Sequence, residues 1–251
     1  MSVFVRPVEP IFNIPAVLVA LIGSFVVIHL GREFLLTQDQ DLELILRFAF
    51  VPARYDSAFN QAHTYPGGIG AEVWTFVTYA FLHGDFMHLA VNSIWLLPFG
   101  AAVARRFGTM RFVVLFAITA AGGAALHLLT HRGQIYPMIG ASAAVSGMMA
   151  ASLRFVFQRG GPIERWRRPD SQSYFIPAAP LGVALRNPKV FIFVIIWFAM
   201  NLVFGVGSSI GPWVTQQIAW QAHVGGFLTG LLLFPLLDPV GAAHHHEETQ
   251  A

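Results

Sequence analysis

Apolar residues in this chain run in long blocks free of Asp, Glu, Lys and Arg: Ile11 to Gly31, Phe86 to Ala104, Phe112 to His131, Gly133 to Leu153, and, unbroken, Val190 to Leu237. Crossing about 30 Å of hydrocarbon at about 1.5 Å per residue takes roughly 20 apolar residues. Each of the first four blocks therefore holds one membrane helix, and the last is long enough for two. Inside it, "GVGSSIGPW", Gly205 to Trp213, gathers the turn-forming residues that divide one helix from the next. The pattern predicts an all-α polytopic membrane protein with spans at about 14–34, 86–104, 110–131, 141–158, 189–206 and 215–237. A segment at 1–13 precedes them, a long loop occupies 37–82, and a polar tail expected to be disordered follows at 238–251.

The loop at 37–82 is not uniformly polar. "LELILRFAFVPARY", Leu42 to Tyr55, mixes apolar residues with single charges and ends near a proline. It is too short and too charged to span. It reads equally as an interfacial helix at headgroup depth or as a loop helix packed on the bundle.

Composition agrees with the blocks. Of 251 residues, 55% are hydrophobic and 11% charged, with a mean hydropathy of +0.60, which excludes an ordinary soluble domain. Six spans place Arg6, Arg105, Arg106, Arg111, Arg154, Arg159, Arg165, Arg167, Arg168, Arg186 and Lys189 on one side, against Arg32, Arg47, Arg54 and Arg132 on the other. Because basic residues are retained on the cytoplasmic side, both termini are expected there; a bacterial inner or plasma membrane is the expected location. The basic stretch "QRGGPIERWRRPD" is then a cytoplasmic loop and no nucleic-acid site. With no cysteine, disulfides, thiolate metal sites and cysteine nucleophiles are excluded. The first span lacks the pattern of a cleaved signal peptide and is expected to be retained.

Polar side chains are costly in hydrocarbon, which makes His88, Asn92, His127, Ser142, Ser146, Asn201 and His223 the informative positions. Ser142 follows "YPMIG", where Pro137 and Gly140 delay the start of a helix. The first N–H groups of that helix have no intrahelical partners and favour negative charge beside Ser142. Ala143, Gly147 and Ala151 form a small-residue stripe along it, and Ala222, Gly226 and Gly230 form a second stripe on the last span beside His223. Two such helices can approach closely enough for an imidazole to activate a hydroxyl. No Asp or Glu lies between Phe86 and Ile163 or between Ser171 and Leu237. A serine hydrolase built here is therefore a Ser/His dyad, its imidazole oriented by packing or by neutral hydrogen bonds. His88 and Asn92, one helical turn apart, can both donate towards one point, as an oxyanion hole requires. A metal or haem site gathering His83, His88, His127, His131 and His223 is the competing chemistry. It lacks a carboxylate or thiol and any HExxH pattern.

The segments "WTFVTYAFLHGDFMHLAVNSIW", "GASAAVSG" and "AHVGGFLTG", in this order on the second, fourth and sixth spans, resemble the rhomboid family of intramembrane serine proteases. The resemblance, to the bacterial type with a six-span core, covers about Trp74 to Leu237. It implies Ser142 as nucleophile, His223 as general base, and His88, Asn92 and the Ser142 N–H as the oxyanion hole. His83 corresponds to the histidine opening the second-span motif, and Trp74, Gly140 and Gly226 are supporting positions. The usual Gly after the nucleophile is Ala143, the Tyr that packs on the histidine is Ser146, and Thr75 and Ala104 stand where Arg and Glu are common. These departures bear on how His223 is held and how the first loop is anchored.

The resemblance further implies cleavage of membrane-protein substrates, within or near a transmembrane segment that is helix-destabilised, without cofactor, metal or ATP. It implies a water-filled cavity open to the external side, substrate entry between the second and fifth helices, and small residues at the scissile bond. The Gly205–Trp213 loop is placed to cap the site. A rhomboid-like protein that binds transmembrane helices without cutting them is the other reading. The presence of both reacting residues and both oxyanion side chains favours the enzyme.

Overall fold

The structure is a computed structural model that describes residues 14–56, 65–164, 171–206 and 219–240. The expected N-terminal segment, the capping loop beyond Val206, the centre of the basic loop (165–170) and the tail beyond Val240 lie outside the described residues.

Among these residues the chain is all-helical. Its helices are α1 (Ala16–Leu35), α2 (Gln38–Phe48), α3 (Gly68–Thr78), α4 (Phe86–Thr130), α5 (Ser142–Ser152), α6 (Leu181–Arg186), α7 (Pro188–Val206) and α8 (Trp220–Leu237). Four, α1, α4, α7 and α8, are long and apolar enough to cross a membrane. α4 is interrupted at Gly108 (φ 73°, ψ 171°), where the chain leaves helical geometry and re-enters it. A left-handed φ at a bend in this position is open to glycine and strained for other residues.

α5 sits at the centre with every residue from Ala143 to Ser152 buried, packed between α4 and α8. The two small-residue stripes face each other. A Cβ added to Gly226 would overlap the carbonyl of Ala143, and one added to Gly230 would overlap that of Gly147. Thr119 of α4 closes the other side of Gly147, against which an added Cβ would also collide. Backbones in such contact gain dispersion energy that side chains would otherwise block.

Three elements depart from the expected boundaries. The loop helix starts earlier than Leu42 and ends before Pro52. Thr37 caps α2, its Oγ1 accepting from Gln40 N at 3.3 Å while Gln40 Oε1 accepts from Thr37 N at 2.9 Å. The helix then stops because Phe50 turns away to pair with Met138, exchanging backbone bonds of 3.1 and 2.8 Å. α2 buries no residue fully. α3, inside the stretch read as loop, is a further helix that starts after the left-handed Gly67 (φ 98°). The regular part of α5 ends at Ser152 instead of near 158, and the chain continues in tighter turns. There Arg154 pairs with Ala179, its carbonyl accepting from Ala179 N at 3.0 Å and its Nε donating to Ala179 O at 2.7 Å.

Several arginines counted above only as topological charges are also built into the interior. Arg106 is fully buried and forks onto Asp238 through Nε (2.7 Å) and Nη2 (2.8 Å), with Nη1 donating to the carbonyls of Tyr174 and Ile176 at 2.7 and 2.8 Å. Arg32 at the end of α1 forks onto Asp41 of α2 at 2.6 and 3.1 Å and donates to His83 O at 2.7 Å. Arg54 donates to the carbonyls of Leu46 and Pro66 at 2.5 and 3.2 Å.

Candidate active site

Ser142 opens α5, and the approach to it is fixed on both sides. The Phe50–Met138 pair holds the strand-like segment before it, and Gly140 N donates to Tyr79 O at 3.0 Å. The first bond of the helix runs from Val145 N to Ala141 O (2.9 Å), so the N–H of Ser142 precedes the hydrogen-bonded ladder and points out of its N-terminal end. Gly140 takes φ +113°, a conformation that L side chains rarely adopt.

His223, on the second turn of α8, places Nε2 2.7 Å from Ser142 Oγ. Its other ring nitrogen, Nδ1, lies 2.5 Å from Asn201 Oδ1 on α7. Asn201 Nδ2 donates to the carbonyl of Trp197, one turn earlier, at 2.7 Å. One hydroxyl, one imidazole and one amide, from three helices, thus form a continuous line. Asn201 had stood among the intramembrane polar residues without a partner, since nothing in a single sequence shows how α7 is rotated against α8. Ser146, at the position of the expected aromatic, bonds back to Ser142 O at 2.8 Å, and no aromatic ring stacks on His223 among the described residues.

His88 and Asn92 approach from α4. Asp85 caps that helix, its Oδ1 accepting from His88 N at 2.7 Å. A Cβ placed on Gly140 would lie 2.5 Å from His88 Nε2 and 3.6 Å from Asn92 Nδ2. Both side-chain nitrogens therefore face the backbone two residues before Ser142. His88 Nδ1 accepts from Gly84 N at 3.4 Å, which leaves Nε2 as the protonated nitrogen and a donor towards the site. Asn92 Nδ2 spends one hydrogen on His88 O at 3.0 Å, leaving its second for another acceptor.

The remaining positions fall around this group. His83 is fully buried, its ring 5.3 Å from that of His88 in an edge-to-face contact and 5.1 Å from that of Phe25. It backs His88 while Arg32 holds its carbonyl. Trp74 Nε1 donates to Arg47 O at 3.0 Å and ties α3 to α2. Thr75 is buried, bonded to Ala71 O (2.6 Å) and to the Tyr55 hydroxyl (3.0 Å). These contacts anchor the loop around Thr75, where the family pattern often has Arg. Ala104 is buried in the core two residues before Arg106. His127 and His131 stack on each other at 4.3 Å at the end of α4. Among the described residues no three His, Cys, Asp or Glu side chains gather as metal ligands would.

Comparisons with known proteins place the chain in a family. A rhomboid-domain family profile matches residues 70–238, and the chain belongs to the rhomboid family. It is 27% identical to the Arabidopsis thaliana RHOMBOID-like protein 6, mitochondrial, over 87% of this chain and 66% of that protein. It is 35% identical to the Arabidopsis RHOMBOID-like protein 5 over 64% of this chain and 43% of that protein. It is 30% identical to the rhomboid protease GlpG of Klebsiella pneumoniae over 68% of this chain and 51% of that protein. The chain spans between a third and two thirds of the length of the curated relatives it matches.

Proposed function

We propose that the chain is an intramembrane serine endopeptidase that cleaves transmembrane segments of membrane-protein substrates. The observation that carries this reading is the 2.7 Å contact between His223 Nε2 and Ser142 Oγ, at a helix N-terminus faced by the donors of His88 and Asn92. In the reaction, Ser142 Oγ attacks the scissile carbonyl as its proton passes to His223 Nε2. The carbonyl oxygen becomes an oxyanion beside His88 Nε2–H, Asn92 Nδ2–H and the Ser142 N–H. A single donor of this kind contributes about 2.7 to 4 kcal/mol to the transition state. The imidazolium returns its proton to the leaving amine. A water, deprotonated by the same imidazole, then hydrolyses the acyl ester and releases the acid.

Substrate choice follows from the hydrogen bonds a helix makes. A peptide bond inside a regular transmembrane helix is shielded by its own turn, so the accessible substrate carries Gly, Pro or polar residues that let the segment unwind locally. In this reading the two parts of α4 on either side of Gly108 are separate spans. Together with α1, α5 and its following turns, α7 and α8 they make six, with both termini cytoplasmic.

The test is covalent labelling of the detergent-solubilised protein by a fluorophosphonate or isocoumarin, run beside cleavage of a model transmembrane substrate. Ser142→Ala and His223→Ala are each expected to abolish both signals. Labelling that survives Ser142→Ala removes Ser142 as nucleophile. A wild-type protein that binds the substrate segment and neither labels nor cuts is a helix-binding member of the family.

A further inference from the structure

Among the described residues the proposed Ser/His pair has no carboxylate to orient its base, and the position where an aromatic would pack on the imidazole is a serine that points back to its own helix. Something else must hold His223. We propose that Asn201 is a positioning residue that fixes both the tautomer and the orientation of His223. It makes the reacting group a Ser142–His223–Asn201 array in which the third member is neutral. The assignment rests on the reading of Ser142 and His223 as the reacting pair.

Donor and acceptor bookkeeping leaves one solution. The Trp197 carbonyl can only accept, so the Asn201 atom 2.7 Å from it is Nδ2, and the atom facing His223 is the carbonyl oxygen Oδ1. The reversed amide would set Asn201 Oδ1 against the Trp197 carbonyl oxygen, two acceptors with no hydrogen between them. Facing an acceptor, His223 Nδ1 must carry the proton. Its Nε2 then presents a lone pair to the Ser142 hydroxyl at 2.7 Å, which is the tautomer a general base needs. The other neutral tautomer would put a lone pair against Asn201 Oδ1 and an N–H against the serine.

The bond also has a built frame. One turn before Asn201 on α7, Trp197 stacks on Phe227, one turn after His223 on α8, with ring centroids 4.5 Å apart and planes 23° apart. Phe198 meets the same ring edge-on at 6.4 Å. The two layers, amide on imidazole and indole on phenyl, set α7 and α8 in antiparallel register, and Asn201 is buried within it. α7 is otherwise a peripheral helix, with Phe191, Ile192, Ile195, Ile196, Leu202 and Val203 exposed. A polar side chain on such a helix that turns inward onto the ring of His223 is the feature that distinguishes it from lipid-facing neighbours.

The experiment uses the full chain in detergent micelles or bicelles, labelled with [15N]histidine, as wild type, Asn201→Ala and Asn201→Asp. As the neutral carboxylic acid, Asp donates its O–H to the Trp197 carbonyl and keeps an acceptor facing His223. In the wild type the His223 Nδ1 resonance is expected to be the protonated one. In Asn201→Ala it should move to the other tautomer or to a mixture, since free imidazole side chains favour the Nε2–H form. Against the model transmembrane substrate, Asn201→Ala should lose about 10- to 100-fold in kcat with KM within about twofold, and Asn201→Asp should recover most of that loss. A wild-type His223 protonated at Nε2 overturns the proposal, as does a tautomer and kcat unchanged by Asn201→Ala. Equal losses in the Ala and Asp variants that track a lowered Tm show a purely structural residue and also overturn it. A wild type that neither labels nor cleaves refutes the protease reading, and the tautomer comparison then decides the role of Asn201 by itself.

Discussion

Gly140 shows how much of the site depends on one atom that is missing. Its φ of +113° is strained for any residue with a side chain, and a methyl there would lie 2.5 Å from His88 Nε2. Gly140→Ala therefore carries two penalties, about 1 to 3 kcal/mol of backbone strain and displacement of His88, the proposed oxyanion donor, a role worth about 100- to 1000-fold in kcat. A cleavage assay with a parallel thermal melt would separate them: kcat should fall by at least the lower of these factors while the melt drops only modestly. Unchanged cleavage would mean that His88 does not point where the reaction needs it. Ser142, His223, His88 and Asn92 were legible in the sequence because each is a polar residue inside a charge-free block, Ser142 and His223 beside small-residue stripes and His88 and Asn92 one helical turn apart. Asn201 was equally conspicuous, yet its partner was not, because a contact between two helices depends on a rotation that periodicity does not encode. Thr75 was visible only as a departure, and Ser146 as an intramembrane hydroxyl and a departure. The structure shows Thr75 bonded within the first loop and Ser146 bonded to its own helix.

The same contrast holds for the helices. The small-residue stripes on α5 and α8 were readable from spacing, and they meet backbone to backbone at Ala143–Gly226 and Gly147–Gly230. A methyl on Gly226 has nowhere to go, since what it meets is the Ala143 carbonyl, fixed in the helix that carries Ser142. Gly226→Ala must push α8 outward, and a displacement of about 1 Å at the proposed Ser142–His223 pair would cost about 100-fold in rate. Gly23→Ala on α1, where an added Cβ meets nothing within 4 Å, is the matched control. The expected outcome is loss of cleavage and a lower Tm for Gly226→Ala, with Gly23→Ala close to wild type in both. Equal behaviour of the two variants would show that the helices have slack at this contact. The elements least legible were those without a long apolar run. α3 lay hidden in the first loop, and α2 ended early because Phe50 leaves to pair with Met138, a long-range bond that no local pattern announces.

Charge is where topology and packing overlap. Arg106 counts towards a cytoplasmic excess when only the sequence is read, but it is also the most enclosed cation described, with side-chain exposure of 0% against 4% for Asp238. Its fork on Asp238 and its bonds to the Tyr174 and Ile176 carbonyls join the first part of α4 to the end of α8 and to the segment before α6. The rings of Phe155 and Phe234 lie 4.7 and 5.7 Å from the guanidinium carbon. α8 is therefore held at both ends, by the His223 contacts near its start and by Asp238 just past its last turn. Breaking one partner of a buried pair costs about 3 to 5 kcal/mol, because the other charge is left unpaired, whereas replacing both by neutral groups costs far less. Asp238→Asn should accordingly lower the Tm of the solubilised protein by about 10 °C. The double variant Asp238→Asn with Arg106→Met should recover much of that drop. Neither residue touches Ser142 or His223, so cleavage well below the melting range should stay near wild type for all variants. A melt of Asp238→Asn within about 1 °C of wild type would mean that this clamp does not hold the two helices together. Recovery in the double variant would instead show that the cost lies in the orphaned guanidinium rather than in the lost contact.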